Sequence, residues 1–221
     1  DIIKMSENKN FMDDKKIQDI TLTDLIKNYL NNTSELKGLE DVSAMYDAID
    51  RVLFLADVTD EAAETIAHLI RMWNIIDRAI EPSSRKPIKL FIDSCGGSVT
   101  AGFTIINAIL LSKTPVYTIN MGTAYSMGLC VLAAGHKRFA YKDATFLFHE
   151  GSTDIGQIDA GKFKNYSKFY EMLLEKIKTF LLTHTNMTEE MYKEKYRDDW
   201  WFFADEALKT GFIDEILEEF I

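Results

Sequence analysis

Apolar and polar positions along the chain follow two periods, and the switches between them predict its elements. Ile20, Leu22, Leu25, Ile26, Tyr29 and Leu30 recur at helical spacing, with Thr21 or Thr23 placed to cap and Asn31-Asn32 to end the helix. The residues before it, 1–16, are polar and read as a mobile tail. From Val52 onward short apolar runs alternate with helical ones. Val52–Ala56, Ile88–Ile92, Val116–Ile119 and Thr145–Phe148 read as buried strands. Asp60–Ile80 carries Ala63, Ile66, Ala67, Ile70, Trp73 and Ile76, an amphipathic helix that Pro82 stops. Thr100–Leu111 is a second helix, and Ser126–Ala134, with few charges and several small residues, suits a helix buried between layers. Ala204–Thr210 is helical with Gly211 as its cap, and Phe212–Leu217 holds a last short strand. Strands separated by helices predict an α/β fold, a parallel sheet covered by helices.

One stretch exceeds that scheme. In residues 158–183, Phe163, Tyr166, Tyr170, Leu173, Leu174, Ile177 and Leu181 repeat on one side of a long helix. Periodicity admits two arrangements, a helix lying across its own sheet or one projecting to pack against another chain. Residues 1–45 are expected to form an N-terminal extension, a mobile tail plus a short helix, and 46–221 the main domain.

Composition narrows the class. The 221 residues suffice for one well-buried core. The formal charge of -10 excludes the basic footprint that a phosphate backbone requires, so no nucleic acid is expected as partner. No run approaches the roughly 20 apolar residues that cross a bilayer, so no membrane is expected either. The first nine residues lack the apolar run of a signal peptide, and a start at Asp rather than Met is expected to be a trimmed one. Two cysteines, Cys95 and Cys130, are too few for a disulfide scaffold, which fits a reducing, cytoplasmic setting.

The candidate chemistry gathers at predicted strand ends. Ser94-Cys95-Gly96-Gly97-Ser98 follows a strand directly, and its two glycines let the backbone turn and expose amides toward a phosphate or an oxyanion. The chain has no Gly-x-x-x-x-Gly-Lys-Ser/Thr run and lacks the third glycine of a dinucleotide fingerprint, and a plain tight turn is the rival reading. Gly122-Thr-Ala-Tyr-Ser126-Met-Gly128 follows the next strand. Ser126 opens a helix there, as a nucleophile or as an ordinary N-cap. A nucleophilic serine needs a base. His68 lies on a helix, His136 beside Lys137 and Arg138 in a turn, and His184 at a helix end. His149 closes a strand at the sheet edge that carries both glycine motifs and is the best base. For the orienting acid, Glu150, Asp154, Asp198 and Asp199 all stay open.

Together these residues resemble a known family. Ile92-Asp-Ser-Cys-Gly-Gly-Ser-Val-Thr-Ala-Gly102, Gly122-Thr-Ala-Tyr-Ser-Met-Gly128, His149, Asp199-Trp-Trp-Phe-Phe-Ala-Asp-Glu-Ala207 and Gly211-Phe-Ile-Asp214 are similar to the caseinolytic peptidase family, ClpP, in its order and over residues 48–217. The resemblance implies Ser126 as nucleophile, His149 as general base, Asp199 as orienting acid, and Gly97 and Met127 as donors of the oxyanion-hole amides. It implies no metal and no cofactor. It also implies a crotonase-like superhelical β-β-α core whose projecting handle helix is residues 158–183. Two stacked heptameric rings, a homo-oligomeric tetradecamer, would enclose the serines, with an ATP-dependent unfoldase or a second ClpP-like subunit as partner. The expected activity is that of a serine endopeptidase acting on unfolded chains or short peptides through an acyl-enzyme.

The chain departs from the family pattern in places, as a divergent member would. Cys95 stands where Pro is usual, Glu150-Gly151 follows the histidine in place of Gln-Pro, the axial loop is not recognisable in residues 1–45, and Trp200-Trp201-Phe202-Phe203 is bulky. Three rival functions remain. One is a noncatalytic or regulatory ring subunit. Another is a different enzyme of the crotonase-like fold, a serine-lysine signal-peptide peptidase or an acyl-CoA hydratase relative. The third is a module recruiting partners through residues 1–45.

Overall fold

A computed structural model describes residues 39–151 and 159–221. The predicted helix at Ile20–Leu30 and the candidate acid Asp154 lie outside the described residues. The chain divides into two units, 1–50 and 51–221. Of the first, the described part is one helix, α1 (Leu39–Asp50).

The second unit begins with β1 (Val52–Val58), α2 (Asp60–Ile76), β2 (Ile88–Gly97), α3 (Val99–Leu111), β3 (Val116–Tyr125) and α4 (Met127–Ala133). β4 (Lys137–Tyr141), β5 (Thr145–Phe148), α5 (Ala160–His184), α6 (Glu189–Lys195), β6 (Trp200–Phe203), α7 (Ala204–Lys209) and β7 (Glu215–Leu217) complete it. β1, β2, β3, β4 and β7 pair in that order, all parallel. β3 changes partner along its length: Tyr117–Asn120 pair with β4, and Thr123–Tyr125 pair with β5. β6 then runs antiparallel to β5.

Alternation along each strand builds two faces. Leu53 and Leu55 of β1 and Ile88, Leu90 and Ile92 of β2 are buried on the helix side, where Ile66, Ile70 and Trp73 of α2 and Ile105 and Ile109 of α3 close the core. On the other face Phe54 stacks on Phe91 and Tyr117 meets Phe139 edge-on, with Phe54 largely exposed. A buried ion pair ties the start of β1 to the end of α2: both terminal nitrogens of Arg51 donate to the Asp77 carboxylate, at 2.6 and 2.7 Å. Thr114 Oγ1 donates to the same carboxylate and accepts from Arg85 Nη1.

Several predicted elements differ in extent or placement from the reading of the sequence. The helix from Asp60 ends at Ile76 and tightens into a 3₁₀ turn, Asp77–Ala79, where Asp77 is drawn inward by Arg51. β2 and β3 are ten residues each, twice the apolar run or more, because register shifts at Leu55/Asp57 and Ile92/Ser94 let the glycine segments keep pairing. α5 spans Ala160–His184, and over its first turns Phe163, Tyr166, Phe169 and Met172 are exposed, while only Phe180 and Leu181 near its end are buried. The arrangement lying across its own sheet is therefore excluded for the first half of this helix.

Candidate active site

The site is assembled around β5. Tyr125 pairs with Leu147, and the Ser126 amide donates to the Leu147 carbonyl at 2.9 Å, so β3 delivers Ser126 beside β5. His149 follows the last residue of β5. Phe148 pairs with Trp200 across an antiparallel ladder, which puts Asp199 opposite His149. Strand register alone thus brings Ser126, His149 and Asp199 to one edge of the sheet.

Ser126 sits at the N-cap position of α4 with φ 53° and ψ −121°, a left-handed conformation unusual for a residue with a Cβ, and its hydroxyl makes no capping hydrogen bond. The N-cap reading of this serine is therefore excluded. Such a strained turn between strand and helix holds a side chain clear of the backbone, at a cost of about 1–3 kcal/mol. Thr59, Ser98 and Thr188, by contrast, do cap α2, α3 and α6.

The two glycine motifs are packed against each other, which explains their residue types. Gly96 has φ 101°, and a Cβ there would lie 2.8 Å from Ser126 Cβ and 3.2 Å from Met127 N. Gly97, with φ 144°, would meet the Val58 carbonyl oxygen at 2.4 Å. The end of β2 therefore lies directly on the Ser126–Met127 turn. Ser94 Oγ accepts from the Gly96 amide at 3.1 Å and shapes this bend. Across it, the Asp93 carboxylate accepts from the Thr123 amide and hydroxyl, fastening β2 to β3. The Met127 side chain fills the space over Gly102, where any Cβ would clash at 2.4 Å.

His149 Nδ1 is 3.7 Å from Asp199 Oδ1, close enough for charge interaction and longer than a hydrogen bond. Its Nε2 is buried and makes no hydrogen bond with any described residue. His149 borders a small cavity of about 40 Å³ together with Ser126, Val99, Leu174, Ile177 and Tyr192. The Tyr170 hydroxyl, against Gly151, is a second buried polar atom without a hydrogen-bonding partner among the described residues. Burial first, and then the charge of Glu150, push the Tyr196 phenol up, and burial does the same for Tyr192. Cys130, fully buried in the cavity wall, is pushed up to about 12 and stays a neutral thiol.

Of the four candidate acids, Asp199 is the one brought into range of His149. Asp198 is exposed, and Glu150 acts on the tyrosines beside it. His68 and His136 are exposed, and His184 stacks on Phe180. The tyrosines of α6 were not singled out from sequence, although Thr188 followed by Glu189-Glu190 is a helix-start signature that marks this element. Among the described residues no His, Cys, Asp and Glu side chains cluster as a metal site would. No described helix is long and apolar enough to cross a membrane.

Comparison with known proteins identifies the family. Residues 37–220 match the family model described as Clp protease. The chain is 31% identical over 189 residues to an "ATP-dependent Clp protease proteolytic subunit 2" of Rhodococcus jostii, covering 84% of this chain and 94% of the relative. It is 35% identical over 173 residues to the protein of that description in Thermobifida fusca, covering 76% and 80%. A Treponema pallidum protein of the same description is 29% identical over 171 residues, covering 76% and 82%. A match across more than four fifths of the chain places it in the Clp protease family.

Proposed function

We propose that the chain is a serine endopeptidase working in the cytoplasm as a homo-oligomer of two stacked heptameric rings. In that role it hydrolyses unfolded chains or short peptides inside the chamber. Ser126 Oγ attacks the peptide carbonyl while His149 Nε2 takes its proton. The Gly97 and Met127 amides hold the developing oxyanion, and His149 then protonates the leaving amine. Asp199 orients His149 through Nδ1 and stabilises the imidazolium. Water repeats the sequence to release the acyl group. An ATP-dependent unfoldase or a second ClpP-like subunit delivers substrate, a reading that the words "ATP-dependent" in the names of the relatives fit.

One observation carries the reading. Ser126 is held in a strained turn with a hydroxyl that makes no capping hydrogen bond, beside a histidine whose buried Nε2 has no hydrogen-bonding partner among the described residues. A second reading, a subunit whose triad closes only on assembly or with a partner ring, draws on the 3.7 Å gap between His149 and a largely exposed Asp199. Hydrolysis of a fluorogenic short peptide by wild type and Ser126→Ala, with particle mass recorded on the same samples, separates them. Activity in a large particle that disappears with Ser126→Ala supports the peptidase. An intact ring without activity in the wild type supports the second reading.

A further inference from the structure

A cavity of about 570 Å³ opens between α2 and α3, away from Ser126. Its floor is aliphatic, with Ile70 and Ala108, and its rim carries Arg71, Arg78, Arg85 and Lys113. A chain with a net charge of -10 has concentrated four of its cations there. Arg71, Arg78 and Lys113 form no ion pair with a carboxylate of the described residues. Asp77, the one carboxylate hydrogen-bonded into the network next to the groove, pairs with Arg51 and reaches the rim's Arg85 only through Thr114, so it leaves the rim's positive charge largely uncompensated. The rim is also rigid. The Asn74 side chain accepts from the Lys113 and Thr114 amides and donates to Ile70 O and Ser112 Oγ, fixing the α3–β3 connection. Leu111, at the mouth, is 83% exposed. A preformed groove with an aliphatic floor and unpaired cations is complementary to an acidic segment that also offers an apolar side chain.

The same chain displays such a segment elsewhere. Beyond β7, Glu218, Glu219 and Phe220 are all exposed, Phe220 at 87%. They stand beside the aromatic face of the sheet, where Phe220 meets the edge of Tyr141 and Lys89 donates to the Ile221 carbonyl. The two surfaces are different patches of one molecule and complementary in charge and polarity.

We propose that the Glu218–Phe220 segment of one copy seats in the α2–α3 groove of the next, Glu218 and Glu219 pairing with Arg71 and Arg78 and Phe220 covering the aliphatic floor beside Leu111. Because the two patches differ, the contact is head-to-tail, the kind that generates a ring when its rotation closes. It rests on the homo-oligomer part of the proposed function and not on the triad.

Full-length Arg71→Glu/Arg78→Glu, Glu218→Arg/Glu219→Arg and a chain carrying all four changes test the contact by sedimentation velocity across a dilution series. All four positions are exposed, and far-ultraviolet circular dichroism checks that each variant is folded. Each double variant is expected to dissociate at about tenfold higher protein concentration than wild type or more, and the fourfold variant to regain assembly. Rising salt weakens the wild-type contact. Two outcomes overturn the contact and leave the oligomer standing: double variants that assemble as wild type does, or a fourfold variant that shows no rescue. A wild type that stays monomeric at all concentrations overturns both. Restored assembly in the fourfold variant excludes a free anion or an unrelated protein as the occupant that matters.

Discussion

His149 and Asp199 face each other because Phe148 and Trp200 are paired across the β5–β6 ladder, and their Nδ1–Oδ1 separation is 3.7 Å. The acid stands on the first residue before a strand, its side chain 64% exposed, so its removal leaves no buried charge behind. Asp199→Asn is therefore expected to lower kcat by about 10³–10⁴-fold with an unchanged Tm. Ser126→Ala should lower it further, toward about 10⁶-fold. Peptide hydrolysis and thermal unfolding on the same preparations check both. Full activity in Asp199→Asn would remove this residue from the mechanism.

Gly96→Ala brings a Cβ to 2.8 Å from that of Ser126 at a backbone position with φ 101°. The strain and the clash fall on the one turn that sets the serine. A loss of about 1–3 kcal/mol in stability is expected, with a disproportionate fall in kcat. Gly161→Ala, where an added Cβ meets nothing within 4 Å inside α5, is the control and should leave kcat unchanged and raise stability by about 0.4–1 kcal/mol. Equal behaviour of the two variants would contradict the close approach described for Gly96.

Asp77 is 1% exposed and serves Arg51 and Thr114 together. Asp77→Asn leaves the buried Arg51 guanidinium without its carboxylate, and about 3–5 kcal/mol of stability should go with it. Replacing the exposed Asp198 by Asn should cost nothing measurable. Denaturant titration with unchanged slope is the measurement, and a midpoint for Asp77→Asn equal to wild type would contradict the assignment.

The two cysteines should separate cleanly. Burial holds the Cys130 thiol neutral up to about 12, whereas Cys95 is exposed. At pH 8, alkylation of the folded chain is expected at Cys95 alone, read by mass spectrometry. The sign of the linkage follows from the raised value. In the unfolded chain the Cys130 thiol ionises near pH 9, while in the fold it keeps its proton to about 12. Between these limits the unfolded state binds fewer protons, so stability falls as pH rises, by about 1.4 kcal/mol per pH unit. Cys130→Ala should flatten that slope.

The β1–α2–β2–α3–β3 order was legible because each element carries its own period, and the glycine motifs were legible because only glycine fits where two strand ends touch. Their placement was not. Ser94–Gly97 and Gly122–Tyr125 read as turns beyond short strands, yet both continue the ladder, since the register shifts that allow it depend on a neighbouring strand. Ser126 looked equally fit to cap or to attack, and the sign of a single dihedral decided against the cap. Asp199 could not be told from Asp198 by spacing, because a one-residue step reverses the side chain and the register that fixes it belongs to β5. β4 and β6 are short and lie in charged or uniformly aromatic stretches, where neither period shows.

β5 is only four residues long, and three groups take their positions from it: Ser126 by the hydrogen bond to Leu147, His149 by chain continuity, Asp199 by the pairing of Phe148 with Trp200. Alignment of the three is thus a single degree of freedom instead of three. A displacement of that short rail would therefore move His149 and Asp199 together and shift both against Ser126, whose turn is also held by Gly96.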